Sequence, residues 1–163
     1  MMTSRLSGSD PTLLQRAVQA LRRSDKTRAE LEALLLRHGS AEEARVVLDQ
    51  LVSQRLQSDA RTAELRARQA LTKGWAAPRA LTALVHAGIT QALAQQAVDE
   101  VYASHNAAQA IQLEVARLGK HPAAAARLKA ARALLRRGFA QDDVARALGL
   151  EDLDAQGPAG DDV

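Results

Sequence analysis

Apolar residues recur along this chain at three- and four-residue intervals. Leu14, Ala17, Val18 and Leu21 set the first stripe at i, i+3, i+4 and i+7, the spacing of one helix face. The same spacing returns in Leu31, Leu34 and Leu35, then in Ala44, Val47, Leu48 and Leu51. It continues through Ala63, Ala67, Ala70 and Leu71, through Leu81, Leu84 and Val85, and through Leu93, Ala97 and Val101. Ile111, Val115 and Leu118 follow, then Leu128, Ala131, Leu134 and Leu135, and last Val144, Ala147 and Leu148. No alternating β-branched run is long enough for a strand. The pattern predicts nine amphipathic helices and an all-α fold.

Polar and special residues punctuate these stripes. Asp10-Pro11 reads as an N-cap followed by proline at the first helical position. Thr27 with Glu30, and Ser40 with Glu43, are capping boxes. Asp59 and Thr90 are set to cap the fourth and sixth helices, and Pro78 and Pro122 to open the fifth and eighth. Gly39, Gly74, Gly88, Gly119 and Gly138 stand where helices stop, and Gly39 is expected in the left-handed C′ conformation.

Three of the stops end similar phrases: AELEALLLRHG (29–39), ALTALVHAG (80–88) and KAARALLRRG (129–138). Their spacing of about fifty residues signals stacked supersecondary units rather than one mixed core. The predicted organisation is three tandem three-helix repeats, helix-turn-helix-like units in an elongated curved array. The repeats cover 11–57, 58–103 and 104–149, with a flexible N-terminus over 1–10 and an acidic disordered tail over 150–163. Arrays of this kind present long surfaces to partners.

Charge separates these parts. Residues 104–149 hold 8 basic and 3 acidic side chains, whereas 150–163 hold 5 acidic and no basic ones. The chain has no cysteine, so it has neither disulfides nor a thiolate metal site. No HExxH, GxxxxGK[ST] or GxGxxG phrase occurs, and His38, His86, His105 and His121 lie far apart. His38 and His86 sit where a helix C-terminus favours a polar or positive group, and Asp142-Asp143 where a helix N-terminus favours carboxylates. The expectation is a non-enzymatic chain with no catalytic residue, no metal and no cofactor. With no apolar h-region at its start and no run of roughly 18 apolar residues, it is expected to be cytoplasmic, without membrane contact, and monomeric.

Three segments resemble the RecX family of RecA recombinase modulators. RAVQALRRSDKTRAELEALL (16–35) is similar to that family's first repeat. LTKGWAAPRALTALVHAGI (71–89) resembles its most recognisable stretch: a basic residue, Gly, an aromatic, a Pro-Xaa pair, then a helix ending in Gly-Ile. LKAARALLRRGFAQDDVARAL (128–148) resembles its last repeat. The resemblance spans about residues 13–149. One stretch departs: where the family has a Gly-aromatic-Leu-Asp-Asp phrase with a following aromatic, this chain has RLQSDARTAEL (55–65). It keeps Asp59 and Arg61 but neither the glycine nor the aromatics. The resemblance implies a three-repeat helical fold lying in the groove of a RecA–DNA filament. It also implies that binding restrains ATP hydrolysis, strand exchange and coprotease activity.

The candidate contact residues are Arg61, Lys73, Trp75, Arg79, Arg127, Lys129, Arg132, Arg136 and Arg137. They fit acidic patches of a recombinase, or single- or double-stranded DNA held with low sequence specificity. Trp75 reads either as packing between repeats or as an interface anchor. The competing function is a helix-turn-helix transcriptional regulator. Electrostatics count against it, because two of the three helices after the repeat glycines open on carboxylates, Glu42-Glu43 and Asp142-Asp143.

Overall fold

The computed structural model describes residues 12–150. The expected N-terminal start at Asp10-Pro11, the flexible segment 1–10 and all of the acidic tail 150–163 except Leu150, which packs on the third core, lie outside the described residues. Within them are nine helices and no strand: α1 (Leu13–Arg23), α2 (Arg28–Leu35), α3 (Ala41–Ser53), α4 (Asp59–Thr72), α5 (Ala77–His86), α6 (Gln91–Tyr102), α7 (Ala107–Arg117), α8 (Ala124–Arg136) and α9 (Gln141–Leu148).

The helices pack in threes. All the well-packed helix pairs lie within α1–α3, within α4–α6 or within α7–α9. Each triplet has its own core. Leu31, Leu35, Leu48 and Leu51 centre the first, Leu84, Ile89 and Val98 the second, and Ile111, Leu134, Val144 and Phe139 the third. Small residues such as Ala63, Ala67 and Ala94 are fully buried where α4 and α6 run close together.

Both capping boxes form. The Thr27 hydroxyl accepts from the Glu30 amide while the Glu30 carboxylate accepts from the Thr27 amide, and Ser40 and Glu43 do the same. Glycine stops recur with one hydrogen-bond pattern. The Gly74 amide donates to the Leu71 carbonyl and the Trp75 amide to the Ala70 carbonyl, 2.8 and 2.9 Å, which is a Schellman motif. Gly88 with Ile89, Gly138 with Phe139, and Gly149 with Leu150 repeat it. Each motif turns the residue after the glycine back onto its triplet.

Four local expectations are corrected. The cap of α1 is Thr12, in a capping box with Gln15. Ser58, not Asp59, caps α4, and Asp59 is free for another task. Pro122 precedes α8, whose N-cap is Ala123, so proline shapes the entry without opening the helix. Gly39 is not left-handed. A Cβ there would stand 2.6 Å from Leu13 Cδ1, the end of a side chain that can turn aside. A left-handed C′ position does exist at the end of α3, and Arg55 holds it with φ 58°. Arg55 stands where the RecX-like phrase would have glycine.

Neighbouring triplets meet through loops. At the first junction the buried Thr27 donates its hydroxyl to the Ala87 carbonyl, 2.7 Å. Asp59 accepts from the Arg28 amide, 2.8 Å, and from Gln57 Nε2, 2.6 Å. Arg66 reaches across to Glu30, 2.7 Å. At the second junction the Ala76 amide donates to the Arg137 carbonyl, 2.8 Å, and Ala76 is buried in the third core. Gly138 passes so near Arg79 that a Cβ would lie 2.5 Å from the Arg79 Cβ.

Candidate partner-binding surface

The sequence-derived contact residues separate into three groups. The first is Lys73, Trp75 and Arg79, at the turn between α4 and α5. The Schellman motif at Gly74 fixes Trp75, half-buried, against the second triplet. The Arg79 guanidinium lies 4.0 Å and the Lys73 ammonium 5.6 Å from the Trp75 ring centroid. Cation–π attraction of this kind holds both cations at the ring. Neither cation has a carboxylate partner among the described residues. Beside the ring is a cleft of about 200 Å³ with Ala70, Ala80, Ala83 and Leu84 as apolar lining and Arg66, Gln69 and Lys73 as polar lining. It can take an apolar group against Trp75 and an anionic group at Lys73. Its lining holds no Ser, Cys, His, Asp or Glu side chain.

The second group is Lys129, Arg132 and Arg136, all exposed on α8. They too lack carboxylate partners among the described residues. Spacings of three and four residues put them on one side of the helix.

The third group is used inside the molecule. Arg61 donates to the Leu56 carbonyl, 3.1 Å, and so helps close the turn after α3. Arg127 Nη1 lies 3.3 Å from the Gly149 carbonyl oxygen, a cation at the negative end of α9, while its buried Nε has no partner. Arg137 Nε donates to the Gly74 carbonyl, 2.6 Å, its Nη1 pairs with Glu114, 2.8 Å, and its guanidinium lies 5.3 Å from the Phe139 ring centroid. Arg137 therefore ties the second triplet to the third. The Glu114 carboxyl is held below its ordinary value first by the Arg137 hydrogen bond, against a smaller opposing effect of burial, with Arg117 adding to the lowering.

Two further participants have roles that local sequence does not signal. Tyr102 is buried, and its hydroxyl donates to the Trp75 carbonyl at 2.9 Å. Burial pushes its phenol up, which keeps the donor protonated. Arg66 borders the Trp75 cleft while paired to Glu30. No short-range pattern marks either residue, because their partners lie 27 and 36 positions away.

Among the described residues no cluster of His, Cys, Asp or Glu could hold a metal ion, and no helix is long and apolar enough to cross a membrane. The fold and surface define a class: an all-α array of helix triplets with separate cores and open basic faces. No protein-family model matches the chain, and no curated protein matches it in sequence. Among solved structures, the crystal structure of RecX from Lactobacillus salivarius has a similar fold. Its TM-score is 0.68 at 19% identity, over 86% of this chain and 95% of that one. The chain has a RecX-like fold.

Proposed function

We propose that this chain is a non-enzymatic regulator of a RecA-type recombinase. It binds in the groove of the recombinase–DNA filament and restrains ATP hydrolysis, strand exchange and coprotease activity. Three repeat modules, 11–57, 58–103 and 104–149, form a curved array whose concave face spans neighbouring protomers. The working form is a cytoplasmic monomer. The observation that carries the reading is the agreement of two independent likenesses over nearly the same residues. The phrases within 16–148 resemble RecX repeats, and the fold resembles a RecX structure across 86% of the chain.

An array that bridges adjacent protomers favours the filament geometry that fits it. ATP turnover then changes by population shift. The open cations at Lys73 and Arg79 and at Lys129, Arg132 and Arg136 supply the contacts, to acidic recombinase patches or to filament phosphates. The helix-turn-helix reading gains nothing from the geometry. Glu42, Glu43, Asp142 and Asp143 are all exposed at the openings of α3 and α9, where base edges would have to be met.

The test is the DNA-dependent ATPase rate of the cognate recombinase against increasing amounts of this chain, with binding to bare duplex measured in parallel. The expected result is suppression well below one molecule per recombinase protomer, with weak duplex binding. An unchanged ATPase rate together with tight, sequence-dependent duplex binding would sink the proposal in favour of a transcriptional regulator. Charge reversal at Arg132 and Arg136 should weaken filament binding and flatten its salt dependence. Arg137 is left intact in that variant, since losing it would loosen the second junction.

A further inference from the structure

The outer side of α8 combines two features that a purely solvated face does not. Leu128 and Leu135 are 42% and 41% exposed, although the helix period assigns them to the core side with Ala131 and Leu134. Together with Arg132, Val144 and Leu150 they line a groove of about 270 Å³ between α8 and α9. Alongside the leucines run the unpartnered cations Lys129, Arg132 and Arg136. Phosphates would satisfy the cations and leave the leucines in water. An acidic segment carrying a leucine satisfies both.

Such a segment follows directly in the sequence. Leu150 is the last described residue; it lines the groove, and its amide closes the turn after α9 on the Ala145 carbonyl, 2.9 Å. The chain continues Glu151-Asp152-Leu153-Asp154, and residues 151–163 carry 5 carboxylates and no basic side chain. Leu153 is three positions beyond Leu150, a reach of roughly 10 Å, so the tether holds it near the groove at high effective concentration.

We propose that residues 151–154 dock in this groove, with Leu153 between Leu128 and Leu135 and the carboxylates against Lys129, Arg132 and Arg136. The segment then shields the most basic face of the third triplet. An external acidic partner or polyanion must displace it to bind there.

The absence of cysteine makes the test direct. The full-length chain with Ala155→Cys carries one nitroxide label, and amide signals are compared with those of the reduced label. Docking should broaden the α8 signals near Leu128–Leu135 and spare those near Val46 on α3. Leu153→Ser should reduce the α8 broadening several-fold, and so should Leu135→Ser at its exposed position. In unlabelled chain, Leu153→Ser should also tighten heparin binding. Broadening equal on α3 and α8, or unchanged by both serine substitutions, would overturn the proposal. No recombinase is present, so failure here leaves the filament reading untouched, and failure of that reading leaves this result standing.

Discussion

Arg55 holds a backbone conformation suited to glycine. Its amide donates to the Val52 carbonyl and the Leu56 amide to the Leu51 carbonyl, both 2.9 Å, the same motif that glycine closes at four other helix ends. A Cβ in the left-handed region costs about 1–2 kcal/mol, and glycine returns part of that gain through its greater entropy when unfolded. The turn's hydrogen bonds are made by backbone groups, so Arg55→Gly keeps them. It should raise unfolding stability by about 1 kcal/mol, read from urea denaturation. An unchanged or lower midpoint would mean that the Arg55 side chain contributes something the backbone does not reveal. Gly138 poses the opposite case. Its φ is 88°, and the Arg79 Cβ occupies the space a side chain would need. Gly138→Ala combines backbone strain with a clash against a neighbouring triplet. It should cost about 2 kcal/mol or more and disturb Trp75 fluorescence through Arg79. These roles divide by legibility. A glycine ending an apolar stripe announces a helix stop. Which neighbour it must admit depends on a contact about sixty positions away, which no local pattern encodes.

Helix starts show the same division. The Thr27 and Ser40 boxes were readable because a cap and its N3 partner are three residues apart. At α1 the Asp10-Pro11 pair is a strong local start signal, yet the cap is Thr12, boxed with Gln15. At α4 Ser58 and Asp59 are both capable caps, and local sequence does not choose between them. Asp59 is instead turned to the Arg28 amide, a junction contact with no sequence signature. The α8 stripe misled in another way. Period alone places Leu128 and Leu135 inward, but among the described residues α8 packs closely against α7 and α9 alone, and its buried side is narrow. Thr27 supports a comparative prediction, since it caps α2 and its buried hydroxyl also donates to the carbonyl of the half-buried Ala87. Thr12→Ala at an exposed cap should cost about 1 kcal/mol. Thr27→Ala should cost about 2 kcal/mol, because the cap and the junction hydrogen bond to the half-buried Ala87 carbonyl are lost together. Equal losses in urea denaturation would show that the junction bond adds nothing.

The whole array depends on two junctions, and a carboxylate supports each. Glu30 joins the first triplet to the second through Arg66, while Glu114 pairs inside the third triplet with Arg137, whose Nε donates to the Gly74 carbonyl of the second. For Glu30, burial pushes the carboxyl up, but the Arg66 hydrogen bond, the Thr27 amide and the charges of Arg66 and Lys26 together hold it below the ordinary 4.5. Glu114 is lowered as well, chiefly by Arg137. A carboxyl whose folded value lies below its unfolded one adds stability in full above the unfolded value. That stability is lost as pH falls through the folded value. Acid below about pH 4.5 should therefore weaken both junctions. Glu42 and Glu43 are also lowered, by Arg45 and Ser40, but these contacts lie within the opening of α3 and join no triplets. Each triplet keeps its own apolar core, so helices should outlast junctions during acid titration. Trp75 reports on the second junction, because the Gly74 carbonyl beside it accepts from Arg137. Its fluorescence should change at a higher pH than the far-ultraviolet circular dichroism. Glu114→Gln should remove most of that early change while leaving the later loss of helix in place. A single transition shared by both signals, insensitive to Glu114→Gln, would show that the triplets unfold as one body and that the junction carboxylates do not set the acid limit.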